Sequence, residues 1–95
     1  MSKVFIFVDV DIKSGQRDAY LEKLNIHAAE VRDEPGCEKL DIFFDDTNPD
    51  QLYVWEIWST KADFDVHITC DATKAWRPVA ALYINGEKIH VLNPV

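Results

Sequence analysis

Along residues 51–58, QLYVWEIW, apolar side chains fill both alternating positions of an extended chain. Leu52, Val54, Glu56 and Trp58 point one way, and Tyr53, Trp55 and Ile57 the other. A strand apolar on both faces has no side left for water and must be covered twice. Residues 3–12 begin in the same way. Val4, Ile6, Val8, Val10 and Ile12 share one face, while Phe5 and Phe7 open the other before Asp9 and Asp11 take over. Residues 37–45 predict another strand, with Leu40, Ile42 and Phe44 on one face and Phe43 opposite. The polar run 45–50 joins it to 51–58 as a hairpin.

Between the strands the period lengthens. Tyr20, Leu24, His27 and Val31, joined by Leu21 and Ala28, form an apolar stripe that predicts a helix over residues 16–34. Ser14 is its expected N-cap, and Pro35-Gly36 stops it. Thr60 caps a second helix, with Asp63 placed to return the capping bond. Residues 71–83 continue helically with Ala72, Trp76, Val79 and Tyr83 on one stripe, and Pro78 is expected to kink or restart the helix. Asn85-Gly86 reads as a turn and residues 87–92 as a last strand. The order β-α-β-β-α-β predicts an α+β, ferredoxin-like single domain over residues 1–95: an antiparallel sheet with its helices on one face. The second apolar face then calls for a partner, most simply a second copy packed sheet to sheet as a homodimer, a dimeric α+β barrel.

Charge narrows the partners. Seventeen acids against 10 bases give a net charge of −7, and no Lys/Arg cluster is present, which argues against nucleic acid and against an anionic membrane surface. The apolar start at residues 4–8 is too short for a signal-peptide core or a membrane span, so the expected location is cytoplasmic. Cys37 and Cys70 lack zinc-type spacing and read as free thiols. The acids of 45–50 do not match a calcium loop and read as a solvated turn.

Several of these pieces resemble the antibiotic biosynthesis monooxygenase (ABM) domain family. They are Glu34-Pro35-Gly36-Cys37 at the helix end, Tyr53-Val54-Trp55-Glu56-Ile57-Trp58 on the strand, Phe64-x-x-His67 on the next helix, and the later Trp76. The resemblance covers essentially the whole chain and implies a small dimeric ferredoxin-like protein. Members include quinol monooxygenases that use oxygen without metal or flavin, an isomerase of a phosphorylated signal, and haem-degrading enzymes. The haem branch has a Trp near the position of His67 and a His near that of Arg77, and this chain has neither. A second helical His common in the family is replaced here by the stretch Cys70-Asp71-Ala72.

The three glycines form no phosphate or dinucleotide loop. His67 and Asp71, spaced i, i+4, offer two metal ligands where a catalytic site normally has three, so no metal and no cofactor are expected. Acid–base chemistry in an apolar pocket remains. His67 is the first candidate catalytic residue, with Asp63 or Asp71 one turn away to orient its ring. The bland reading is a surface histidine beside two solvated acids. Glu56 is the second candidate, a strand carboxylate that burial would push toward neutrality, or else a structural acid paired across a dimer interface. His27 is the third, though a core histidine is the commoner outcome on such a stripe. Trp76, Phe64, Trp58 and Tyr83 are candidate ring-binding residues, each equally explicable as core. Arg77 can anchor a phosphate or simply lie on the surface.

Together these readings, with the resemblance, point to a cofactor-independent monooxygenase acting on a small quinol-like aromatic. The alternatives are an isomerase of a small phosphorylated hydroxyketone and a non-catalytic module that binds an apolar metabolite.

Overall fold

A computed structural model describes residues 2–95. It contains β1 (Val4–Ile12), α1 (Arg17–Arg32), β2 (Cys37–Phe44), β3 (Gln51–Trp58), α2 (Lys61–Thr69), α3 (Asp71–Ala80) and β4 (Ile84–Leu92). The strands form one antiparallel sheet in the order β2-β3-β1-β4. The ferredoxin-like plan read from the sequence is the fold, with its second helical segment in two pieces.

The most apolar strands, β1 and β3, lie at the centre, where both neighbours pair with them. Val4, Ile6, Val8, Val10 and Ile12 alternate into the helix-covered face, and β3 sends Leu52, Val54, Glu56 and Trp58 to the same side. The register sets Ile6 opposite Glu56 and Glu56 opposite Leu40. This settles which face carries Glu56, which alternation alone leaves open because both faces are apolar. Tyr20, Leu24, Ala28 and Val31 of α1 close over that face. Among the described residues no helix covers the opposite face. Phe5, Phe7, Tyr53 and Trp55 lie there half-buried against one another, with Phe7 stacked on Tyr53 at 5.4 Å and Phe5 tilted against Trp55 at 5.8 Å between centroids.

Local differences from the sequence reading have local causes. The first helix begins after Gln16, whose side chain makes no capping bond, so Ser14 is not the cap. Thr60 does cap α2, accepting from the Asp63 N–H, but the Asp63 carboxylate takes the Thr60 hydroxyl. The break in the second helical region falls at Cys70, whose ψ of 163° is extended, and not at Pro78. Pro78 stands near the end of α3, where its missing N–H costs one bond, and the helix closes beyond it through Ala81 N–H to Arg77 O at 3.1 Å. Residues 81–83 form a turn. Asn85-Gly86 belongs to β4: Asp11 pairs with Gly86 and Ile12 with Ile84, so Asn85 is the extra residue of a bulge. The 45–50 loop is a side-chain-closed turn, with Asp45 Oδ1 accepting from the N–H groups of Thr47 and Asn48.

One glycine is structural in a specific way. Gly36 has φ of 84°, and a Cβ there would collide with the Asp63 carboxylate on α2. Its carbonyl accepts from the Ser59 N–H at 2.8 Å, which ties the end of α1 to the start of α2. Gly15 has φ of 76° with nothing near its missing Cβ. Both Gly→Ala changes should cost the left-handed backbone penalty of about 1–2 kcal/mol. Gly36→Ala should cost clearly more than Gly15→Ala in urea unfolding, because Asp63 must also move. Equal losses would show that the approach of Asp63 to the turn is unimportant.

Candidate functional site

Between the sheet and its helices lies a cavity of about 110 Å³. Ile6, Val8 and Val54 form its floor, and α1, α2 and α3 supply the roof. Its polar lining is concentrated in a few groups: His27, Glu56, His67, Thr73, Arg77 and Glu87. The three candidate acid–base residues read from the sequence, scattered over 41 positions, therefore share one chamber.

His67 is buried, and two elements hold it. Its ring stacks on Trp58 at 4.7 Å between centroids and lies 6.0 Å from Phe64. Its Nδ1 meets Glu34 Oε1 at 2.9 Å. Glu34 stands just past the end of α1, and the Pro35-Gly36 turn behind it is bound to α2, as described above. The partner of the ring is thus Glu34, not Asp63 or Asp71. Asp63 serves the cap of α2, and Asp71 is exposed. Thr73 Oγ donates to the His67 carbonyl at 2.6 Å, which holds α3 against the last turn of α2. Glu34 and Cys70 do not line the cavity, so the imidazole stands with Nδ1 turned to Glu34 behind it.

Glu56 is buried in mid-strand, and Trp58 Nε1–H donates to its Oε1 at 2.8 Å. Desolvation pushes its pKa up, reinforced by the negative charges of Glu34 and Glu87; the Trp58 bond and His67 pull the other way. Burial also favours neutral His27, whose pKa is lowered first by desolvation and then by the charge of His67. The His27 ring lies flat on Trp76, 4.6 Å apart with planes within 7°. Trp76 also touches Tyr20, so one wall of the chamber is aromatic.

The other sequence candidates fall into two groups. Phe64, Trp76 and Arg77 line the cavity. Trp58 and Tyr83 do not: Trp58 lies fully buried behind His67 and Glu56, and Tyr83 packs against Tyr20. Arg77 is exposed and donates to the Ile68 carbonyl at 2.9 Å, and its positive charge acts on Glu87. Sequence reasoning missed Glu34. The available signal was an acid directly before the Pro-Gly stop, but nothing in the linear order connects it to a histidine 33 residues later.

One cluster has metal-ligand chemistry. Glu34, His67 and Cys70 place one donor atom each within 4.8 Å of one another. His67 and Asp71, the pair suggested by spacing, do not form such a site among the described residues. In the cluster that does form, two of the three donors are already closed on each other by the Glu34–His67 bond, and Cys70 Sγ lies 3.8 Å from Glu34 Oε1.

The chain matches the antibiotic biosynthesis monooxygenase family over residues 3–79, and it belongs to that family. No curated protein matches it. Among solved structures, a conserved protein from Methanosarcina mazei superposes with a TM-score of 0.93 at 19% identity, covering 100% of this chain and 95% of that one. A protein from Pseudomonas aeruginosa gives 0.89 at 19% identity, covering 100% and 96%. A structure described as an antibiotic biosynthesis monooxygenase gives 0.88 at 20% identity, covering 97% and 98%. At such identities the likeness establishes the shared fold.

Glu56 makes stability depend on pH with a defined sign. Its native pKa is raised, so the folded state keeps a proton that the unfolded chain releases in the ordinary carboxylate range. Stability attributable to this group therefore falls as pH rises from that range through the raised native value, and stays low above it. Glu56→Gln, whose amide oxygen can still accept from Trp58, should be more stable than the parent at pH 7 and equal to it near pH 4. Urea unfolding across pH checks this, and parallel curves for the two proteins would count against it.

Proposed function

We propose that the protein is a cofactor-independent monooxygenase acting on a small quinol-like aromatic, with His67 as general base and Glu56 as proton donor. The observation that carries this reading is that both groups line one mostly apolar chamber with an aromatic wall. Membership in the ABM family supports the same class of chemistry.

The residues suit each step. A quinol hydroxyl entering the chamber loses its proton to the imidazole. The resulting anion is electron-rich enough to reduce oxygen directly, and the two combine at a ring carbon as a hydroperoxide. Loss of water then leaves a hydroxyquinone, so quinol plus oxygen gives hydroxyquinone plus water and the electrons balance without a metal or flavin. Glu56, held toward its neutral form by burial, supplies the proton that the departing oxygen needs. The apolar floor keeps water away from the anion and the peroxide.

Size refines the substrate. The 110 Å³ chamber is well below the ~300 Å³ at which pockets for drug-sized ligands begin, so a single ring fits and a fused system does not without movement of the roof. Glu56, Glu87 and Arg77 line the chamber, and Arg77 Nη2 donates to the Ile68 carbonyl at 2.9 Å.

Oxygen-electrode assays with monocyclic and bicyclic quinols test the proposal. Uptake should be faster with the monocyclic series, and His67→Ala should lower it by about 10²-fold or more. No uptake across the panel would overturn it, and stoichiometric binding of aromatics without turnover would leave a binding module.

We further propose that the functional unit is a homodimer packed through the helix-free face. Phe5, Phe7, Tyr53 and Trp55 form a continuous aromatic patch there, and Phe43 at the edge is 51% exposed. Sedimentation equilibrium should give twice the chain mass, and Phe43→Glu combined with Phe7→Glu should give a folded monomer. A monomeric parent protein at micromolar concentration would refute this.

A further inference from the structure

The proposed function leaves Glu34 without a role, although it is the hydrogen-bond partner of the His67 ring. Its Oε1 lies 2.9 Å from Nδ1, and its Oε2 is buried with no hydrogen-bond partner among the described residues. A carboxylate in that position is compensated mainly through one bond. An ionised carboxylate only accepts, so the bond requires a proton on Nδ1. The neutral imidazole then carries its lone pair on Nε2, the ring nitrogen not engaged by Glu34.

We propose that Glu34 is the positioning residue of the site: it fixes His67 as the Nδ1–H tautomer, directs the basic nitrogen toward the chamber, and balances the imidazolium formed when that nitrogen takes a proton.

The surrounding contacts are arranged to keep this pair closed. The His67 ring is stacked on Trp58, which prevents rotation about the side chain without loss of that contact. The Thr73 hydroxyl holds the His67 carbonyl, so the backbone under the ring is fixed as well. On the other side, Arg32 sends Nε and Nη2 to the Leu40 carbonyl at 3.1 and 2.9 Å, pinning the last turn of α1 to β2. Glu34 follows two residues later, and the next turn is bound to α2 through Gly36 and Ser59. Acceptor and donor are thus each anchored to a different part of the sheet-and-helix frame, and the bond between them needs no side-chain reorganisation to form.

The tautomer stands independently of the oxidation chemistry, whereas its catalytic consequence rests on His67 being the base. Two measurements separate these. Nitrogen chemical shifts of histidine-labelled protein report which ring nitrogen carries the proton. The full-length protein should show His67 as Nδ1–H in its neutral form. Glu34→Ala should move it to Nε2–H or to a mixture, Glu34→Asp should restore part of the original signal, and Cys70→Ser should leave it unchanged. On a quinol that the parent protein oxidises, Glu34→Ala should lower kcat by 10-fold or more with little change in KM, again partly rescued by Asp. Circular dichroism identifies any variant that fails to fold, and Glu34→Met, which nearly preserves the side-chain volume and offers no oxygen acceptor, replaces Ala in that case.

An Nε2–H signal in the parent protein would overturn the proposal, as would a tautomer unaffected in folded Glu34 variants. Stoichiometric zinc that is lost on Cys70→Ser would overturn it as well, since the three donor atoms would then be a metal site and not a hydrogen-bonded dyad. If the tautomer behaves as expected while no quinol is oxidised, the positioning stands and the oxidation reading falls.

Discussion

The approach of the 34–36 turn to the start of α2 is the constraint on which the site depends. Gly36 can come against Asp63 only because it lacks a side chain and tolerates a left-handed backbone, and the Ser59 N–H closes the contact. This one junction joins the end of α1, the end of β3 and the beginning of α2. Glu34 comes from the first of these, Trp58 from the second and His67 from the third. Their mutual distances are consequences of the junction, since no two of the three lie on the same element. A loosened turn would leave the sheet intact and still separate the carboxylate from the imidazole.

The chamber is also an energetic compromise. A core filled by Leu or Ile in place of Glu56 would avoid burying a carboxyl group, and the raised pKa of Glu56 reflects that unfavourable environment. The Trp58 bond offsets part of the cost. The same residue stacks on His67, so one indole supports both polar groups from behind while staying out of the cavity wall. A tryptophan that is fully buried and lies outside the cavity can still determine how two polar groups are held. The pattern is one of polar groups placed on rigid elements and supported by a packed layer, with Phe64 and the aliphatic floor beside them.

How much of this can be read from the linear order depends on whether a contact is periodic or non-local. The strands and α1 are legible because alternation and the 3.6-residue stripe follow from burial on one side of a regular element. Both faces of β1 and β3 read correctly as apolar, yet for that very reason the side occupied by Glu56 cannot be read. Only pairing with Leu40 and Ile6 assigns it. Pro78 drew attention away from Cys70, because a proline signals a break only when several turns remain beyond it, and here α3 ends two residues later. Asn85-Gly86 has the composition of a turn and serves as a bulge, a use of the same flexibility that depends on the register of β1. The acid bonded to His67 could not be found by helical spacing, since Asp63 and Asp71 satisfy the i±4 rule and the observed partner comes from another helix end.

The family supplies a frame, and this chain's own residues supply the discrimination within it. Structures less than 25% identical superpose along nearly the full length, so the frame survives replacement of about four residues in five. What such a frame constrains is the sheet register and the gap beneath the helices; it leaves the groups lining that gap free to vary. In this chain the gap is about 110 Å³, a buried glutamic acid and a histidine line it, and that histidine is backed by a carboxylate. On the reading proposed above, the small volume accounts for a single-ring substrate and the histidine for a hydroxyl that gives up its proton. An apolar metabolite without an acidic hydrogen would give that histidine nothing to act on.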